Sequence, residues 1–391
     1  MRICNIIVAF FHSINDLQAI VNTVFIDAFT KVIDISTRLI YNCSAMKNND
    51  SISQERRKLA ALLEHYEYGK MPKKPAHVTI KIETISKSFA AGKANLVSFS
   101  LGCQFEDGES YTLPITAAIP TKGDGHAAFI HIKRDDQMPD AHQPTEELCD
   151  GGFAVFTVAE NKIFTDGDSH KSGLARRLSG ERRALDSPGR AAMLAWCAMR
   201  VMDAITCEFP TVDLSRTAVV GHGVFAISAL LTGAFDERFA FVISNSSGFG
   251  GAASVLFDRG ELYERKRQYP SLFCDRYYNL SGREDELPFD QDALLSLIAP
   301  RPIFLDNADD LLTNIPLGEL MSAYRASHTY KKFGKTGLKL DKSGNPCEVF
   351  DVNEPYYLPG GDIVYRKREG FPYLSREDWA EYMKFVLTND R

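Results

Sequence analysis

The stretch Gly221-His222-Gly223-Val224-Phe225 follows a short apolar run, Thr217 to Val220, and leads into an apolar segment of helical composition, Phe225 to Ala234. A strand that turns sharply into a helix can hold its central residue in a strained backbone conformation, so that a serine there projects a nucleophilic Oγ above a sheet. The central residue here is Gly223, which has no side chain. His222 is expected to pack beside the turn rather than to react. Ser246 and Ser247 carry hydroxyls, but they end another apolar run with no identifiable base, where serines usually cap or turn the chain. Asp306, Asp309 and Asp310 follow the run Ile303 to Leu305; a ligand loop and the cap of the next helix are equal readings for them. Arg176, Arg177, Arg182, Arg183 and Arg190 supply planar donors that would suit a uronate or phosphate, against the simpler reading of solvated charge on a loop. Asp166 to His170 resembles a fragment of a cation loop but lacks the distal glutamate, so a polar turn is expected.

These residues need a scaffold. The 391-residue chain is 45% hydrophobic, 25% charged and 11% aromatic, the composition of an ordinary globular protein with a large core. Its net charge of −6 argues against general nucleic-acid binding. The eight cysteines include no Cys-x-x-Cys pair and no histidine at a zinc spacing, so neither a metal nor a cofactor is expected; scattered cysteines suit a reducing, cytoplasmic setting. Ile6 to Phe11 is too short to span a bilayer, and no convincing signal-peptide cleavage site follows it. Residues 1–50 read as an N-terminal helical extension, with apolar positions from Leu17 to Ile40 at helical spacing, and Met46 offers a second start. Residues 51–391 read as one domain. Glu55 to Tyr68 predicts a helix ending at Gly69. His77 to Ile85, Ala94 to Cys103 and Tyr111 to Ile119 alternate as antiparallel strands do. From Ala127 to Ile132 onward, short continuous apolar runs alternate with helical segments, as in a mostly parallel, doubly wound α/β sheet.

Across roughly residues 55 to 388 the chain resembles the glucuronoyl-esterase-like α/β-hydrolases, carbohydrate esterase family fifteen and its relatives. The segment Val219 to Ala253 carries the resemblance, together with Tyr68-Gly69-Lys70-Met71-Pro72, Trp196, Arg200 to Asp203, Asp290-Gln291, Leu297 to Pro302 and the last helix with Trp379, Tyr382 and Phe385. Several blocks in order are a stronger signal than any one motif. The family elbow reads Gly-His or Gly-Cys, then Ser-Arg, a variable residue and Gly-Lys. By that pairing the nucleophile falls on Gly223, the oxyanion-supporting arginine on Val224 and the lysine on Ile227. The acid falls on Ser246, or among Asp309, Asp310 and Leu311, and the base on Pro372.

The only histidine after the elbow is His328, inside a predicted helix. Acyl transfer by a serine needs an Oγ, a base and oxyanion donors. The resemblance therefore implies an esterase scaffold, glucuronoyl or acetyl, without its reacting groups: a non-hydrolytic homologue that keeps a cleft for a carbohydrate, a uronate or a protein partner. The alternatives are an active hydrolase of carbohydrate esters using other groups, and an assembly module acting through the N-terminal helix.

Overall fold

The computed structural model describes residues 49–164, 170–180, 182–257, 261–308, 316–340 and 354–389. Most of the N-terminal extension, the cation-loop fragment up to Ser169, and Asp309 and Asp310 lie outside them. The chain divides into two compact units, Met1–Glu55 and Arg56–Arg391; the second is the body described below. Among the described residues no helix is long and apolar enough to cross a membrane, and no cluster of three or more His, Cys, Asp or Glu could hold a metal.

Among the described residues ten strands form one sheet: β1 (His77–Ser86), β2 (Ala94–Gln104), β3 (Ser110–Pro120), β4 (His126–Lys133), β5 (Phe153–Ala159), β6 (Val212–His222), β7 (Phe241–Asn245), β8 (Ile303–Ala308), β9 (Tyr356–Leu358) and β10 (Ile363–Arg368). Their order is β1-β2-β3-β5-β4-β6-β7-β8-β10-β9. Neighbours from β5 to β10 run parallel, while β1, β2, β3 and β5 pair antiparallel. The expected antiparallel N-terminal edge is therefore present, and β9 adds an antiparallel strand at the other edge. In β4, β5 and β7 every residue is buried, which is why these strands read as unbroken apolar runs rather than alternating ones.

The principal helices are α1 (Asn49–Leu63), α2 (Arg190–Glu208), α3 (Val224–Phe235), α4 (Asp292–Ile298), α5 (Pro316–Lys332) and α6 (Arg376–Thr388). The expected helix to Tyr68 ends instead in one wider π turn, Glu64–Tyr68, before Gly69 at φ +78°. One core cluster contains Trp196 of α2 and Leu230 of α3. A second gathers Phe129, Val220, Ile243 and Phe304 of the sheet against Trp379, Tyr382 and Phe385 of α6. α6 thereby packs on one face of β4, β6, β7 and β8, whose carboxyl ends are where ligand sites of open α/β sheets lie.

Candidate active site

β6 runs into α3 through Gly223, at φ +59° and ψ −124°. That conformation is essentially open to glycine alone unless the surroundings enforce it. A Cβ built on Gly223 would meet nothing within 4 Å, whereas one on Gly221 would lie 2.3 Å from the Phe225 carbonyl oxygen. The turn thus has the tight strand-to-helix approach of an elbow, with open space above its central residue. Gly221→Ala is expected to cost at least ~2 kcal/mol, because the obstacle is backbone that cannot swing aside. A urea-unfolding midpoint equal to that of the unmodified chain would contradict this.

From the elbow a row of polar residues crosses the sheet in register: His222 opposite Asn245, Asn245 opposite Asp306, and Asp306 opposite Arg366. His222 Nδ1 lies 2.7 Å from Asn245 Oδ1; Asn245 Nδ2 donates to Asp306 Oδ2 at 3.1 Å and to the Tyr382 hydroxyl at 2.7 Å. Tyr382 donates to Asp306 at 2.6 Å, and the Arg366 guanidinium grips both Asp306 oxygens at 2.8 and 2.7 Å. Arg366 also pairs with Asp378, which receives Arg368 and caps the start of α6 together with Ser375. Burial raises the Asp306 carboxyl above its ordinary pKa, against the pull of Arg366.

Asp306 was expected just beyond its strand. The strand instead runs on to Ala308, so Asp306 is an interior residue fixed by Arg366 and neither a ligand-loop residue nor a helix cap.

A pocket of about 340 Å³ opens at this end of the sheet, lined among others by His131, Lys133, His142, His222, Phe225 and Pro372. The elbow residue His222 and the proposed base position Pro372 therefore share one pocket. His328, exposed on α5, is not among its lining residues. His131 Nδ1 meets Gln143 Oε1 at 2.5 Å, and its ring stands edge-on to Trp379 with centroids 5.2 Å apart. Lys133 is ion-paired with Asp140. Neither His131 nor His142 stood out in the sequence. Their position at and just after the carboxyl end of β4, one strand from the elbow, was the available signal.

Ser246 follows β7 with φ +56°, a left-handed conformation rare outside glycine. Its Oγ is buried without a hydrogen-bond partner, and its N–H donates to the Asp306 carbonyl at 2.7 Å. It adjoins the elbow, since Gly223 N–H donates to Asn245 O at 2.9 Å. Ser247 instead donates to Glu319 of α5 at 3.0 Å, and the same carboxylate accepts from Gly248 N–H at 2.7 Å and Asn307 at 2.7 Å.

Burial pushes Glu319 up to about 7. The folded chain thus keeps a proton that the unfolded chain releases near its ordinary value of 4.5, so it binds more protons in between. Stability should fall by about 3 kcal/mol as pH rises through that window. Glu67, buried and pushed up to about 8, adds in the same direction. Urea midpoints at pH 5 and pH 8 test this: Glu319→Gln should flatten the slope, and an unchanged slope would contradict the assignment.

Three of the five arginines have partners of their own. Arg177 pairs with Asp107, Arg183 with Asp275, and Arg190 stacks on Phe164 at 3.9 Å. Each of these three guanidinium groups is thus engaged by a different residue of the chain, rather than by one shared partner as in a uronate or phosphate site.

The geometry is that of an α/β-hydrolase elbow with a pocket beside it, and known proteins agree with it. A family model described as glucuronyl esterase, fungi, matches residues 105–334. A carbohydrate esterase, MZ0003, from an unknown prokaryotic organism is 31% identical over 62% of this chain and 54% of its own length. The 4-O-methyl-glucuronoyl methylesterase of Phanerochaete carnosa is 26% identical over 66% of this chain and 62% of its own. The chain thus spans between half and two thirds of these curated relatives. Among solved structures, a glucuronoyl esterase from Solibacter usitatus superposes with a TM-score of 0.76 at 26% identity, covering 87% of this chain and 94% of that one. With more than half of its length matched by the family model and the sheet, elbow and pocket of the fold in place, the chain belongs to the glucuronoyl esterase family.

Proposed function

We propose that this chain is a carbohydrate-binding member of the family that does not cleave esters through a serine. The observation that carries the reading is Gly223: it occupies the strained centre of the elbow, where an acyl-accepting Oγ would stand, and it has no side chain. Pro372, at the position paired with the family base, lines the same pocket and cannot accept a proton. Val224, at the oxyanion position, keeps its N–H at the start of α3 but supplies no cation. The pocket itself persists, which supports retention of a ligand. A structural neighbour from Sporotrichum thermophile, 17% identical, is described in complex with methyl 4-O-methyl-β-D-glucopyranuronate, and a uronate sugar of that kind is the ligand proposed here.

An active hydrolase using other groups would draw its base from the pocket histidines His131, His142 or His222. Their Nδ1 atoms face carbonyl oxygens, of the Gln143 side chain, the Leu374 backbone and the Asn245 side chain, rather than a carboxylate, so none has the partner that stabilises an imidazolium during acyl transfer. The test is calorimetric titration of the full chain with methyl glucuronate, beside assays of acid release from that ester and from acetylated sugars. Binding without turnover is expected. Turnover well above a heat-killed control would sink the proposal.

A further inference from the structure

Hydrogen bonding fixes which nitrogen of two pocket imidazoles carries the proton. Asn245 Nδ2 lies 3.1 Å from the Asp306 carboxylate, which Arg366 holds as an acceptor. The amide nitrogen must face Asp306, so the amide oxygen faces His222 and accepts from Nδ1 at 2.7 Å. Gln143 repeats the arrangement. Its Nε2 lies 3.2 Å from the Thr145 hydroxyl, whose own proton goes to the Gln143 carbonyl, so its Oε1 accepts from His131 Nδ1. In both rings Nδ1 is the N–H, and Nε2 is an unprotonated acceptor. No described residue bonds either Nε2, and both rings line the pocket.

Resting on the carbohydrate reading above, we infer that His131 and His222 are a paired acceptor seat in the pocket, selecting a ligand that presents hydroxyl donors, as a sugar does. The two rings lie on neighbouring parallel strands, His131 opposite Val220 and thus on the same sheet face as His222 two residues on. Both stay neutral near pH 7. Burial, with Lys133 and His222 nearby, pushes His131 down to about 3 against Gln143 and Asp140. Burial also lowers His222, helped by His142 and Arg368 and opposed by Asn245 and Asp378. An acceptor held by amides rather than carboxylates stays an acceptor; it neither gains charge nor becomes a donor when a ligand arrives. The seat therefore discriminates by hydroxyls, and a deoxygenated analogue of the same shape leaves a ring nitrogen unpaired.

The test is nitrogen NMR of the full chain with labelled histidine, the two rings assigned through His131→Phe and His222→Phe. Both should appear as neutral Nδ1–H tautomers at pH 7, with both Nε2 signals moving on addition of methyl glucuronate. In calorimetry His222→Phe should bind that probe roughly tenfold more weakly, with unchanged circular dichroism. An Nε2–H tautomer or a cation at either ring overturns the inference, as does undiminished binding by His222→Phe. Methyl xyloside, a neutral polyol, separates the two claims. If both Nε2 signals respond to it but not to methyl glucuronate, the acceptor seat holds and the uronate reading fails; a response to neither overturns the seat as well.

Discussion

Gly223→Ser is expected to fold and to release no measurable acid from methyl glucuronate. The new side chain has room, since a Cβ there meets nothing within 4 Å, and the cost is a φ of +59° imposed on a residue with a Cβ, about 1–2 kcal/mol. Room for an Oγ is not activation. Of the pocket imidazoles, His131 is pushed by burial down to about 3, too weak a base to take a serine proton well near neutral pH, and burial lowers His222 as well; His142 turns its Nδ1 to the Leu374 carbonyl rather than to an orienting carboxylate. Without a working base a serine enzyme loses several orders of magnitude in kcat. Adding Pro372→His brings an imidazole to the pocket wall, and the double variant should exceed Gly223→Ser by at least tenfold. Coupled acid-release assays of the purified variants decide it. Robust, inhibitor-sensitive turnover by Gly223→Ser alone would mean that one of the existing imidazoles is a competent base.

Arg366→Met should destabilise the fold by about 3–5 kcal/mol at pH 7, a large share of the roughly 5–15 kcal/mol that holds a typical chain folded. The guanidinium satisfies Asp306 and Asp378, both fully buried. Methionine would replace its volume and leave Asp306 with only the Tyr382 and Asn245 donors. Asp306 already holds its proton to a higher pH than an ordinary aspartate, and loss of the cation raises that pH further. The variant's folded state then takes up a proton sooner on acidification, so its deficit should narrow between pH 7 and pH 5. Urea midpoints at the two pH values measure both effects. A loss under about 1 kcal/mol would show that the polar row adds little to stability.

The parts of this site that were legible in sequence are those whose signals are local. Phe153–Ala159 is buried on both faces and reads as a buried strand; Gly221 and Gly223 sit between an apolar strand and an apolar helix, and that alone marks an elbow. β10 was missed because Arg366 and Arg368 interrupt its apolar pattern, and what makes them tolerable inside is a pair of aspartates elsewhere in the chain. Asp306 was set beyond the end of its strand for the same reason, since its guanidinium partner lies 60 residues away. The meeting of His131, His222 and Pro372 in one pocket depends on the registers of β4, β6 and β10, and strands buried on both faces, as β4 is, lack the alternation from which a register could be read.

The central claim, that the elbow has no acyl-accepting side chain, is tested most directly by intact-mass measurement after treatment with a fluorophosphonate, which labels activated serines. The account predicts an unmodified mass for this chain under conditions that label an active glucuronoyl esterase to completion. A stoichiometric adduct mapped to a serine, Ser246 beside the elbow above all, would contradict it.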